Sequence, residues 1–264
     1  MLAAAAVCPH PPLLIPAAMG AAGHAGRQDA AGPAGDAELR EVRAACVSAV
    51  KGLLAAGPDL LAVVGGATAG ATYDATAAGS LRPFGIPAAI GTGEPLLPLS
   101  LTVGRWLLGQ AGWESGGGAR TAGQCDPGGV PPCRVQLRAV AVDLATAGCL
   151  RLGAEIAGLA PRVAMLAMGD ASARKAVGVP GAADPAAERY DAGLAAALAA
   201  ADAGKLARLD PAADAELMIA GRAAWQVLAG AADGVPLRGR LHCAAAPYDV
   251  TYLVATWLAA PLAD

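Results

Sequence analysis

The chain has 264 residues, which suits one large α/β domain or two small ones and allows a sizeable core. Hydrophobic residues make up 55% of it and charged residues 16%, a composition that excludes a chain disordered throughout. The formal net charge of −3 provides no basic excess for phosphate contacts, so we predict no nucleic-acid partner. Apolar runs stay short of the roughly 18 residues that a membrane span needs, so we predict no membrane association.

The cysteines indicate a reducing compartment. The six of them are scattered without a repeated Cys-x-x-Cys spacing, which favours neither a zinc site nor a secreted disulfide framework. The apolar start of the chain lacks a basic leader and runs directly into Pro9, so we interpret residues 2–8 as a buried strand. We therefore expect a cytoplasmic protein. For Cys125 and Cys133, which bracket a Gly/Pro-rich loop, we expect free thiols, with a bridge under oxidation as the alternative.

In the first half of the chain, short apolar runs alternate with helical patterns. After the strand at 2–8, a flexible Gly/Ala/Pro-rich loop is predicted over about 19–36. A helix follows from Asp36 to about Ala56, with acids in its first turn and Gly57-Pro58 as its end. The further predicted elements are a strand at 59–64, a strand at 85–90, a helix at 99–108 and a second flexible loop over about 110–133.

The second half continues the alternation. The predicted elements are strands at 134–142 and 163–168, helices at 144–159, 184–201 and 211–229, and strand-like segments at 237–243 and 250–258. Strands that alternate with helices of about ten to sixteen residues are typical of an α/β sandwich, with helices flanking a mainly parallel or mixed central sheet. The sequence shows neither a repeat nor a clear linker, so we predict a single domain over residues 1–264.

Ligands of open α/β sheets bind beyond the carboxyl ends of the strands, so the segments that follow apolar runs are candidate sites. Two of those segments and two others resemble, in order and spacing, the class III extradiol ring-cleavage dioxygenases of the LigB type, a superfamily that includes the MEMO-like proteins. The four are Pro9-His10-Pro11-Pro12-Leu13, Pro58-Asp59-Leu60-Leu61-Ala62-Val63-Val64, Met168-Gly169-Asp170-Ala171-Ser172-Ala173-Arg174 and Ala220-Gly221-Arg222-Ala223-Ala224-Trp225. The chain looks in particular like a short, alanine-rich branch of that superfamily.

The resemblance covers nearly the whole chain and implies an Fe(II) site of two histidines and one carboxylate, beside an acid/base histidine. One iron ligand falls on His10. The second histidine falls at or beside Ala67, the acid/base histidine falls on Ala173, and the carboxylate falls near Ala224 or Trp225, where no acid stands. Since general acid–base catalysis alone contributes about 10²–10⁴-fold in rate, the usual ring cleavage is not expected.

We therefore expect a dioxygenase-like chain that has lost most of its iron ligands, needs no cofactor, and serves as a non-catalytic small-molecule-binding or interaction protein. Family pockets accept phenolic rings, so an aromatic ligand is one option. Two alternatives stay open. One is an Fe(II)-dependent dioxygenase of catechol-type rings with a non-standard site built on His10, and the other is an accessory subunit of a two-subunit dioxygenase. The family habit also makes a homo-oligomer or a partner subunit an expectation.

The candidate catalytic residues are His10 and Asp170. His10 is either a neutral, hydrogen-bonded residue on the pocket floor or a metal ligand with Cys8, Asp170 or His242 as partners. The turn with Asp170, Ser172 and Arg174 either binds an anion or holds the cap of a following helix.

Two aromatic residues complete the candidate ligand-binding set. Tyr73, next to Asp74, either faces the same crevice or belongs to a solvated turn. Trp225 either fills core volume that alanine leaves empty or offers a stacking surface to an aromatic ligand.

Overall fold

A computed structural model describes residues 1–18, 32–113, 133–173 and 184–260. Its strands are β1 (Leu2–Cys8), β2 (Leu60–Ala67), β3 (Ala71–Asp74), β4 (Ala78–Ser80), β5 (Ala89–Ile90), β6 (Pro95–Leu97), β7 (Arg134–Ala141), β8 (Val163–Met168), β9 (Leu237–Ala245) and β10 (Tyr252–Ala259). Its longer helical segments are α1 (Gly32–Ala55), α2 (Leu99–Gln110), α3 (Thr146–Ala157), α4 (Pro185–Ala200), α5 (Ala203–Ala207), α6 (Pro211–Leu217) and α7 (Arg222–Ala231). None of these helices is long and apolar enough to cross a bilayer.

The main sheet has seven strands in the order β3-β7-β2-β8-β1-β10-β9. Its four central strands, β7, β2, β8 and β1, run parallel. On one side β3 pairs antiparallel with β7. On the other side β10 pairs antiparallel with β1, and β9 pairs antiparallel with β10. A second, three-stranded sheet has the order β5-β4-β6. The predicted α/β class with a mixed central sheet is therefore confirmed.

Three of the four central strands, β1, β2 and β8, are apolar because helices cover both faces of the sheet. Every residue of β8 is buried, as are the first six residues of β2. Residues of β8 contribute alternately to two hydrophobic clusters, one on the side of α3, α4 and α7 and one on the side of α1 and α2. A continuous Val/Ala/Leu/Met run is what a parallel strand buried on both faces requires.

The structure corrects several predicted boundaries. Helix α1 begins at Gly32, so residues 32–36 are helical; Pro33 is compatible with this, because proline is tolerated in the first helical turn. The second predicted loop starts inside a helix, since Gln110 still belongs to α2. The remainder of both predicted loops, 19–31 and 114–132, lies outside the described residues.

Other corrections concern short or interrupted elements. The predicted helix at 211–229 is wrong as one helix, because Met218 adopts a left-handed backbone conformation (φ 51°) that ends α6 before α7 begins. The predicted strand at 85–90 shrinks to the two residues of β5. Strands β3, β4 and β6 and helix α5 were not predicted, since elements of three to five residues show too little periodicity.

Candidate functional site

The carboxyl ends of the parallel strands gather the candidate residues at one edge of the sheet. His10 follows β1, and Asp170 follows β8, its neighbour in the sheet. The connection between β9 and β10 reaches the same edge, because β10 runs antiparallel to β1. This topology brings His10 and Asp170 together, as the sequence predicted for residues that follow buried strands.

His10 and Asp170 form a direct contact. The backbone N–H of His10 donates to Asp170 Oδ1 at 2.7 Å, and the ring Nδ1 lies 3.6 Å from the same oxygen. That second distance is too long for a hydrogen bond, so the buried Nδ1 has no partner among the described residues. The His10 residue is 8% exposed. The pair is thus a nearly buried imidazole beside a carboxylate at the strand ends.

Ser172 forms hydrogen bonds inside the protein. It is fully buried, and both its backbone N–H and its hydroxyl donate to Asp191 of α4, at 3.1 and 2.7 Å. The hydroxyl of Thr251 donates to the same carboxylate at 2.5 Å. The side chains of Asp170 and Ser172 therefore make tertiary contacts. Arg174, the predicted anion-binding residue of this turn, lies outside the described residues.

One tyrosine, Tyr252, lies near Asp170, and a second, Tyr248, lies near Tyr252. Burial raises the pKa of the Tyr252 phenol, with the charge of Asp170 as the next cause, so this phenol remains protonated. The Tyr248 hydroxyl donates to Asp36 of α1. Tyr248 and Asp249 both have positive φ angles (57° and 60°), an uncommon conformation for residues other than glycine. The sequence gave no sign that Tyr252 lies near Asp170.

Trp225 lies in the core beside the end of β8. Its side chain is fully buried, and its ring packs so closely on Gly169 and Gly221 that a Cβ atom at either glycine would overlap it. The indole Nε1 is buried and has no hydrogen-bond partner in the described part of the chain. Trp225 thus fills volume near the position at which the resemblance implied a carboxylate ligand, and it presents no free ring face to solvent.

A buried polar network that the sequence did not reveal lies at the end of β7. Arg222 is 3% exposed and donates to Asp214, to Gln226 and to the carbonyl oxygens of Val142 and Leu144. Desolvation raises the pKa of Asp214, and Arg222 opposes that shift. The second carboxylate oxygen of Asp214 has no partner within the described ranges. A helical Arg-Asp pair ordinarily indicates a solvated surface, so the pattern gave no signal of this network.

Tyr73 lies elsewhere. It belongs to β3 and lines a cavity of about 340 Å³ together with Asp74, Arg134 and Gln136. Because Arg134 begins β7, this cavity opens at the amino ends of the parallel strands. The structure therefore separates Tyr73 from His10 and Asp170.

The described residues provide a poor set of iron ligands. No group of three His, Cys, Asp or Glu side chains among them is placed to hold a metal ion. His242 is exposed on β9 and pairs with Thr256 at 2.7 Å. Cys8 is buried in the core and Cys133 is a free thiol, whereas Cys125 lies outside the described residues.

Comparisons with known proteins add little to this picture. No protein-family model and no curated protein matches the chain. A solved structure, described as uncharacterized protein JW3007 from Escherichia coli K12, covers 97% of this chain and 99% of its own. It shares 14% sequence identity at a TM-score of 0.49, a similarity too low to support an argument.

Proposed function

We propose that this chain is a non-catalytic small-molecule-binding protein with a fold similar to that of the LigB-type extradiol dioxygenases. Its ligand contacts the carboxyl edge of the parallel strands, with His10 and Asp170 in direct contact. A hydroxylated aromatic ring is the ligand class to test first, because it combines an apolar face with hydrogen-bonding groups. The proposal includes no ring-cleavage step.

One observation carries the binding proposal. In the described residues, four buried side-chain atoms lack any hydrogen-bond partner: His10 Nδ1, Tyr190 OH, Asp214 Oδ1 and Trp225 Nε1. His10 and Trp225 adjoin the ends of β1 and β8, and Asp214 is joined to the end of β7 through Arg222. Tyr190 lies near Asp214, whose charge, after burial, is the next cause of its raised pKa. An unsatisfied buried polar group costs about 1–3 kcal/mol, so their concentration at one edge supports the binding of a polar ligand there.

The same residues do not fit the family's iron centre. Two histidines and a carboxylate are needed, and only His10 occupies a matching position. Alanine stands at 67 and 173, and the indole of Trp225 fills the remaining place. Asp170 is close to His10, but its Oδ1 already accepts the His10 amide. This donor set supports a binding protein rather than the Fe(II) alternative.

The test combines ligand binding with metal analysis. Catechol and a matched series of non-aromatic diols would be titrated against the untagged protein with no metal added, with calorimetry and thermal unfolding as the measurements. We expect catechol to bind and to raise the melting temperature; at 100 times Kd the gain is about 2.7 kcal/mol. His10→Ala should abolish it. His242→Ala, which removes an exposed histidine, serves as the matched control.

The outcomes separate the three functions. After anaerobic loading with Fe(II), we expect no stoichiometric iron that depends on His10, and no ring-cleavage product in air. Iron that His10→Ala removes, together with a cleaved product, would instead establish the dioxygenase. Failure of every probe to bind would reject the binding proposal. A subunit that co-purifies stoichiometrically and confers ring cleavage would then favour the accessory-subunit alternative.

A further inference from the structure

Asp191 is a buried carboxylate that hydrogen bonds hold in place. It lies on α4, is 7% exposed, and belongs to none of the ion pairs found in the described part of the chain. Three hydrogen bonds stabilise its two oxygens: two from Ser172 and one from the Thr251 hydroxyl. Burying a charge is expensive unless hydrogen bonds compensate for it, so this arrangement constrains all three residues.

Backbone hydrogen bonds join the same residues to the segment that carries Asp170. Ala171 donates its N–H to the Thr251 carbonyl at 3.1 Å, and Thr251 donates to the Ser172 carbonyl at 2.9 Å. On the other side, Ala220 donates to the Asp170 carbonyl at 3.1 Å. Asp191 thus fixes the side chain and amide of Ser172, two residues after Asp170, and binds it to the residue that precedes β10.

We infer that Asp191 is a positioning residue for the His10–Asp170 pair. It fixes Ser172 and Thr251, which fix the turn of Asp170, whose carboxylate accepts the His10 amide at 2.7 Å. This positioning role rests on the proposed function, in which His10 and Asp170 contact the ligand. Asp191 itself touches neither ligand nor His10.

The amide hydrogen of His10 provides the readout, since its bond to Asp170 Oδ1 protects it from exchange. In Asp191→Ala we expect this amide to exchange at least about tenfold faster, whereas the amide of Val64 in the central strand β2 keeps its rate. The ring signals of His10 should shift as well. Asp191→Asn, which preserves shape and part of the hydrogen bonding, should restore most of the protection.

Asp184→Ala is the matched control. Asp184 caps the same helix, α4, by accepting from the amide of Ala186 at 2.8 Å, so its loss removes that cap without touching Ser172. We expect it to leave the exchange ratio of His10 to Val64 unchanged.

Two results would overturn the inference. One is an unchanged His10 amide in folded Asp191→Ala, and the other is equal acceleration at His10 and Val64. If Asp191→Ala does not fold, Ser172→Ala, which removes the hydroxyl that donates to Asp191, decides by the same selective criterion. Because the measurement needs no ligand and no metal, its outcome is independent of the catechol titration.

Discussion

The least expected residues of this protein are polar side chains that lie buried near the strand ends. His10 and Asp170 were predictable as neighbours, because each directly follows an apolar run and adjacent parallel strands end at one edge. Asp191, Asp214 and Arg222 were not. Their partners lie on other elements, and in the sequence each is a charged residue in an alanine-rich helix, a pattern that ordinarily indicates a solvated face.

The phenols of Tyr190, Tyr248 and Tyr252 should resist ionisation at alkaline pH. Burial, with the neighbouring Asp36, raises the pKa of Tyr248 to about 12, and burial and nearby carboxylates raise the pKa of Tyr190 and Tyr252 above the usual value of about 10. The folded state thus favours the protonated phenols. The stability that Tyr248 contributes in this way is complete below pH 10 and is lost as the pH rises to about 12.

The measurement is phenolate absorbance as a function of pH, beside the free energy of unfolding. We expect the absorbance change near pH 12 to be smaller in Tyr248→Phe than in the native protein. In the native protein, the free energy of unfolding should fall above pH 10. Titration of Tyr190, Tyr248 and Tyr252 at the ordinary value in the folded protein would contradict this prediction.

At the scale of elements, glycine sets how closely α3 and α7 approach. Gly153 of α3 faces the Val227 carbonyl, and Gly230 of α7 faces Leu150, so that a Cβ atom at either position would overlap backbone. The sequence predicted both helical regions but not this contact, because a glycine within a helix gives no indication of what it faces. The left-handed Met218 was equally invisible, since its neighbours have ordinary helical propensity.

Gly153→Ala should destabilise the protein by about 1–3 kcal/mol, because backbone of α7 would have to move. Gly193→Ala is the control. Gly193 lies in the interior of α4 with nothing within 4 Å of its added Cβ, so alanine there should stabilise by roughly 0.5–1 kcal/mol. Chemical denaturation measures both. Equal effects of the two changes would show that the helices do not meet at Gly153.

At the scale of the whole molecule, the sheet was the most predictable part. The ends of β1 and β8 were predicted as observed, and those of β2 and β7 within three residues. Burial on both faces leaves long apolar runs in β1, β2 and β8, and β7 shows the alternation of a strand. The order of the strands and the small second sheet were not, since they depend on contacts between distant segments. The same holds for the candidate site. The ends of the strands predicted its location, whereas the polar residues around it lie on helices whose packing the sequence does not reveal.

The alanine-rich strand β1 (LAAAAVC) illustrates a property of the entire core. Alanine is the commonest residue, and a buried alanine removes little apolar surface from water while losing no rotamer freedom. The heat-capacity change on unfolding scales with the apolar surface exposed, so it should fall below the usual value of about 12–15 cal/mol/K per residue. Scanning calorimetry would measure it. A smaller value implies a flatter stability curve, in which cooling and warming change the folded population less than in a core of larger side chains.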